Sequence, residues 1–191
     1  MVFSSLFFLY IFFPLNILLY YSSKSIFFRN IVLLLFSLFF YAWGEPLWVF
    51  VLMCSVGIDY LNGLFIEKNR GKAGAKFFLA ISVFTNLSLL VLFKYSGMIV
   101  DGLNLILPFK LTAPNLIMPI GISFYSFQSI SYVIDVYRGD VSAQKSYYKV
   151  LLYVSLYPQL VAGPIVRYPD VAAEIEKRTV NSLSLIHILT G

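Results

Sequence analysis

Much of the usual equipment of enzyme chemistry is scarce here. The sequence holds one cysteine, one histidine and only 12% charged residues. A lone cysteine, Cys54, excludes an intrachain disulfide and any cysteine-based metal site. It stands in the apolar run VLMCSV, where a cysteine is expected to be a small buried hydrophobe. A lone histidine, His187, excludes a histidine cluster. There is no HExxH, CxxC, P-loop, GxGxxG or GxSxG pattern, so no metal site, nucleotide cradle or serine-hydrolase elbow is supported. The scarcity of charge also excludes a soluble domain. Soluble chains carry roughly 25% charge, whereas this one is 60% hydrophobic with a mean hydropathy of +0.84. The net charge of +5 comes without the dense Lys/Arg runs that follow a phosphate backbone, so no nucleic-acid partner is expected. The N-terminus lacks the basic start and small-residue cleavage site of a secretory signal, so its apolar run reads as an uncleaved first membrane helix.

What is present is apolar length. A spanning helix needs about 20 mostly apolar residues, and six segments qualify, over about 2–21, 29–43, 46–66, 76–95, 115–137 and 147–167. The expected fold is all-α, a polytopic transmembrane helix bundle of about six spanning or re-entrant segments, forming the N-terminal part of a larger bundle. Residues 96–114 hold Gly97, Gly102, Pro108 and Pro114, and are expected to give a short interfacial helix and a loop. In YAWGEPLW, Gly44 and Pro46 predict a tight turn, with Pro46 opening the next helix and Trp43 and Trp48 at the membrane interface. The sixth segment contains Pro158, Gly163 and Pro164, so it reads as broken or re-entrant.

Basic residues alternate between loops. Lys24, Arg29, Lys68, Arg70, Lys72, Lys76, Arg138, Lys145 and Lys149 lie in odd loops, against Lys94 and Lys110 in even ones. This bias predicts odd loops in the cytoplasm and the N-terminus outside, in a multi-pass protein of the cell membrane. No internal repeat is evident, which weighs against transporters built from repeated halves.

Polar groups in so apolar a chain each need a partner, which makes them functional candidates. Asp59 and Asn62 share a helix face, either as an interfacial cap or as a helix–helix contact. Asn16 and Asn86 each stand alone and read as packing contacts. The densest polar set is MPIGISFYSFQSISYVIDVYRGD, with Ser123, Ser126, Gln128, Ser129 and Ser131 between aromatics. Tyr125, Gln128, Ser129 and Tyr132 form one stripe that should face other helices or a wet cavity. Asp135 and Arg138, three apart, can pair on one helix face. In YPQLVAGPIVRYPD, Pro158, Gly163, Pro164 and Pro169 bar one regular helix, and Gln159 and Arg167 flank the break. Such backbone either lies just outside the membrane or lines an aqueous space within protein. Ser123, Gln128, Gln159 and Arg167 are the candidates for lining a substrate passage.

FFYAWGEPLW, MPIGISFYSFQSISYVIDVYRGD and YPQLVAGPIVRY, in that order, resemble the membrane-bound O-acyltransferase family. The bacterial alginate O-acetylation branch is most similar, and a D-alanine-exporting branch of teichoic acid synthesis is related. The resemblance covers roughly residues 1–180, the N-terminal portion of longer proteins. It implies transfer of an acyl group from a cytoplasmic thioester donor, acetyl-CoA or an acyl carrier, to a hydroxyl. The acceptor would be a cell-surface polysaccharide or a secreted or periplasmic partner protein. No bound cofactor is implied. A histidine in the later half of the family pattern is implied to assist, and His187 is in neither its context nor its place, so no residue is assigned the base. A stretch of this extent is expected to be inactive alone. A transporter, a D-alanyl transferase and a scaffold without chemistry are the competing readings. Leu183 to Ile188, LSLIHI, match one reading frame of a common sequencing-adapter end, so residues 181–191 are expected to be a non-native tail.

Overall fold

The computed structural model describes residues 5–44, 46–106, 112, 118–119, 121–162 and 166–177. All its regular elements are helical. Helix α1 (Phe13–Tyr21) continues a π-helical turn, Phe8–Phe12, so the first helix runs unbroken from Phe8. It is followed by α2 (Ile26–Gly44), α3 (Trp48–Lys68) and α4 (Ala73–Leu90). A second π-helical turn, Val91–Tyr95, joins α4 to α5 (Ser96–Asn104). Then come α6 (Ile122–Arg138), α7 (Tyr147–Ser155), α8 (Tyr157–Ala162) and α9 (Tyr168–Glu176). Among the described residues, Ile26–Gly44, Trp48–Lys68 and Ala73–Asn104 are long and apolar enough to cross a membrane.

The packing is that of a protein whose solvent is lipid. Helix α3 buries Leu52, Val56, Asp59, Gly63 and Ile66, a stripe of alternating four- and three-residue steps. Its opposite face leaves Phe50, Ile58, Leu61 and Phe65 exposed. Helix α4 buries Ala75, Ser82, Asn86 and Leu90 and exposes Phe77, Phe84 and Leu87. Polar groups therefore point inward and large apolar ones outward, because lipid penalises an unpaired polar group and accepts a phenylalanine. Helices α3, α4 and α6 pack together as one group, while α1, α7, α8 and α9 gather around α2 and the flank of α6. At Gly63 a side chain would bring its Cβ to 3.2 Å from the Tyr132 ring, so this glycine sets how closely α3 and α6 approach. Helix α6 starts and ends on left-handed glycines, Gly121 and Gly139.

Several expectations change. Gly97 and Gly102 do not interrupt the chain; they sit inside α5, and the helix continues from Ala73 to Asn104. A glycine costs a helix about 1 kcal/mol against alanine, which is less than the cost of exposing unpaired backbone to lipid. Pro108 and Pro114 lie outside the described residues, as do Gly163, Pro164 and the whole of 181–191. Pro46 lies in a turn, and α3 opens two residues later at Trp48. Cys54 is exposed rather than buried. The sixth segment is broken at Leu156 into α7 and α8, yet Pro158 and Pro169 both occupy the first turn of a helix, where the missing N–H is harmless. The basic loops meet at one end of the bundle. Arg70 Nη2 donates to the Val136 carbonyl at 3.0 Å, the Ala143 amide donates to Glu67 at 3.1 Å, and Phe27 stacks edge-on with Tyr148. Trp48 packs on Phe93, and Trp43 on Phe7 and Phe39, at the far end of the same helices.

Candidate functional site

Two polar clusters stand out from the apolar bundle. The first is within the α3–α4–α6 group. Asp59 is fully buried and receives hydrogen bonds from the Ser82 hydroxyl and, at 2.8 Å, from the Asn86 amide of α4. Asn86 also donates to the Ser82 carbonyl at 3.0 Å and accepts from Ser55 at 3.4 Å. Asn86 does join helices, as its isolation suggested, but it is not alone: its main partner is the carboxyl group of Asp59. Asn16 donates to the Tyr157 hydroxyl at 3.2 Å, a simple contact between α1 and α8.

The second cluster lies where α6, α7 and α9 meet beside the basic loops. Its centre is Tyr153, which pattern reading alone did not single out. The Gln128 amide donates to the Tyr153 carbonyl at 3.0 Å, and the Tyr153 hydroxyl donates to the Val166 carbonyl at 2.8 Å. Arg167, the next residue, binds Asp135 and, at 3.2 Å, Asp140. Tyr168 then packs edge-on against both Tyr132 and Tyr153, with ring centroids 5.0 and 5.1 Å apart. Gln144 ties the loop to this group: it donates to the Tyr168 hydroxyl and to Glu176, each at 3.0 Å, and its own amide N–H takes the Tyr132 hydroxyl as acceptor. Lys149 closes the cluster on Glu176 at 2.6 Å.

Gln128 and Gln159 therefore meet at Tyr153, and Arg167 follows Val166, the residue whose carbonyl the Tyr153 hydroxyl holds. Gln159 and Tyr153 line a small cavity of about 150 Å³ with Leu33, Glu174 and Ile175. Ser123 does not join them; it is half-buried near the start of α6, and no side chain of the cluster bonds to it among the described residues. Asp135 pairs with Arg167 rather than with Arg138. The difference is tertiary: α9's entry brings Arg167 to a carboxylate that is 2% exposed, whereas Arg138 points into a separate basic cavity. His187 lies outside the described residues.

The electrostatics of α9 follow from these contacts. The hydrogen bond from Lys149, helped by that from Gln144, holds Glu176 below its ordinary value of 4.5. Burial raises the Tyr168 phenol above 10.0, so it stays a neutral hydrogen-bonding group. The cluster can orient a polar ligand through a fixed guanidinium, amides and phenols. Among the described residues it contains no activated nucleophile, and no three of His, Cys, Asp or Glu come together to hold a metal.

Comparison with known proteins identifies the setting. No family model matches the chain, and no solved structure matches it. The protein named "Probable alginate O-acetylase AlgI" in Pseudomonas aeruginosa is 40% identical over 190 residues, covering 94% of this chain and 35% of its own length. The protein of the same name in Azotobacter vinelandii is also 40% identical, with 37% of its length covered. Over nearly its whole length the chain is thus similar to O-acetylating members of the membrane-bound O-acyltransferase family. A "Peptidoglycan O-acetyltransferase" of Helicobacter pylori is 27% identical over 219 residues, covering all of this chain and 42% of its own length. The chain thus spans little more than a third of the length of the relatives it matches. Within this bundle the polar stripe of α6 is the part that joins the two clusters, since α6 packs against α3 and α4, which carry Asp59's group, and Gln128 and Asp135 reach the other elements.

Proposed function

We propose that the full-length protein is a multi-pass O-acyltransferase of the cell membrane that moves an acetyl group to hydroxyls of a cell-surface or secreted polysaccharide. The observation that carries this is the 40% identity, over nearly the whole chain, to proteins named as alginate O-acetylases, with a peptidoglycan O-acetyltransferase among the relatives. Both names describe acetyl transfer to a glycan hydroxyl. In this reading the N-terminus is outside, the basic loops face the cytoplasm, and the donor is an acyl thioester, acetyl-CoA or an acyl carrier, reached from that side. The acceptor is the polysaccharide itself or a secreted partner that carries the acetyl onward.

The reaction has simple bookkeeping. The acceptor oxygen attacks the thioester carbonyl carbon, a C–O bond forms, the C–S bond breaks, the thiol leaves and the hydroxyl proton passes to a base. Residues 1–180 supply no assigned base, and His187 is not proposed for it; these residues alone are inactive. Their contribution is the passage wall. Gln128, Gln159 and Arg167, around Tyr153, hold polar groups in place beside the break between α7 and α8, as backbone at such depth requires protein or water around it. Ser123 would serve the passage independently of that cluster, from near the start of α6.

The test uses the full-length protein in membranes, with transfer of labelled acetyl from a thioester to polysaccharide as the readout. Alanine at Gln128, Gln159 and Arg167 together should lower the rate at least about tenfold, the scale set by one lost polar contact to a reacting complex. An unchanged rate removes these residues from the passage, and no acetylated glycan at all removes the activity. Cysteine labelling should find the 67–76 loop shielded from an impermeant external reagent.

A further inference from the structure

The α3–α4 turn and the end of α6 enclose a cavity of about 520 Å³ lined by Arg70, Lys72, Lys76, Tyr137 and Arg138, together with small residues of the turn. No carboxylate lines it. The nearby acids are occupied elsewhere: Glu67 accepts the Ala143 amide at 3.1 Å, and Asp135 and Asp140 both hold Arg167. Lys72, Lys76 and Arg138 are exposed, and none makes an ion pair among the described residues. Arg70 is held in place, its Nη2 donating to the carbonyls of Val136 and Val141 at 3.0 and 3.4 Å. Gly139, whose φ of +86° ends α6, lies against it: a Cβ there would sit in ordinary contact, 3.7 Å from the guanidinium. Four cations thus share one concave space, where a bound anion would relieve their mutual repulsion.

We infer that this cavity is a phosphate-binding site. Arginine recognises a phosphate through two parallel N–H donors, lysine through point charge, and the Tyr137 hydroxyl adds a neutral donor. The volume suits a phosphodiester or pyrophosphate group rather than a lone halide. Two sources share this chemistry. One is the headgroup of an anionic membrane lipid: Lys76 is followed by Phe77, which is 62% exposed, and the Phe65–Phe78 ring stack stands beside it, so acyl chains would run down the same flank. The other is a soluble phosphate ester arriving from the aqueous side of the basic loops.

The experiment takes the full chain in detergent and compares it with two triple variants. Lys72→Gln/Lys76→Gln/Arg138→Gln removes the cavity charges; Lys24→Gln/Lys94→Gln/Lys145→Gln removes as much charge elsewhere. Retention of phosphatidylglycerol over phosphatidylcholine is read by native mass spectrometry, and pyrophosphate binding by titration calorimetry. The cavity triple should lose about tenfold in at least one of the two, and the control triple less than twofold. A loss confined to phosphatidylglycerol identifies a lipid headgroup, and a loss confined to pyrophosphate identifies a soluble ester. Equal losses in both triples, or no binding of either probe by the unaltered chain, overturn the site. Lys72→Glu, a single change at an exposed side chain, repeats the test should the cavity triple fail to fold.

Discussion

Asp59 and Asp135 are both buried carboxyl groups in an apolar bundle, and the protein satisfies them in opposite ways. Asp59, between α3 and α4, is surrounded by neutral donors: the Ser82 hydroxyl and the Asn86 amide. Asp135, near the end of α6, faces a guanidinium whose side chain is half exposed. Depth explains the difference. A cation in the dry interior would have to be desolvated along with its partner, a penalty the ion pair does not reliably recover. Hydroxyls and amides are far less costly to bury. Near the basic loops Arg167 keeps one side in water, so a charged partner is tolerated and can also bridge to Asp140. The lesson is that a polar residue in such a chain reports depth through the kind of partner it has.

The comparison can be broken most sharply at Asp59. Asp59→Ala strands the Ser82 hydroxyl and one Asn86 donor in a dry site and should lower stability in detergent by about 2–3 kcal/mol. Asp59→Asn, which keeps an acceptor, should cost less. A smaller loss for alanine than for asparagine would mean that water fills the site. Next comes Arg167→Ala, which leaves Asp135 buried without its cation; a loss smaller than that of Asp59→Ala is expected by thermal unfolding, since the lost partner is solvated on one side. Arg167→Lys should recover only part, because a compact, strongly hydrated ammonium is costlier to hold against the buried Asp135 than a delocalised guanidinium. Gln128→Ala removes one neutral tie between α6 and α7 and should cost about 1 kcal/mol by thermal unfolding.

The smallest effect concerns pH. Glu176 is held below its ordinary value by Lys149, so its contribution is fully present above about pH 4.5 and is lost as pH falls through the lowered value. The pair is exposed on the Glu176 side, so the loss should stay under about 1 kcal/mol. Glu176→Gln should flatten that acid limb. An acid limb that survives in Glu176→Gln would place the titration at another carboxylate.

Much of the site was legible only in part. Gln128 and Arg167 were visible because an amide and a guanidinium have no other business in an apolar stretch. Tyr153 was not, since tyrosine is one of 14 in the chain and its neighbours give it no distinguishing pattern. Ser82 and Asn86 carried a weak signal, four residues apart on one helix face, that becomes meaningful only beside Asp59. Asp135 and Arg138 carried a misleading one. Spacing of three permits a pair, but spacing says nothing of a competitor that arrives from 32 residues away.

Composition by itself pointed to lipid as the solvent, because 60% hydrophobic residues with 12% charge leave no way to cover a surface facing water, and the length of the apolar runs pointed to helices. The order of its motifs was enough to suggest the family. Partner choice was left to the tertiary structure: which acid holds Arg167, which donors reach Asp59, and which cations remain unneutralised beside Arg138. Those outcomes depend on where helices distant in sequence come to lie, and local periodicity carries no information about that.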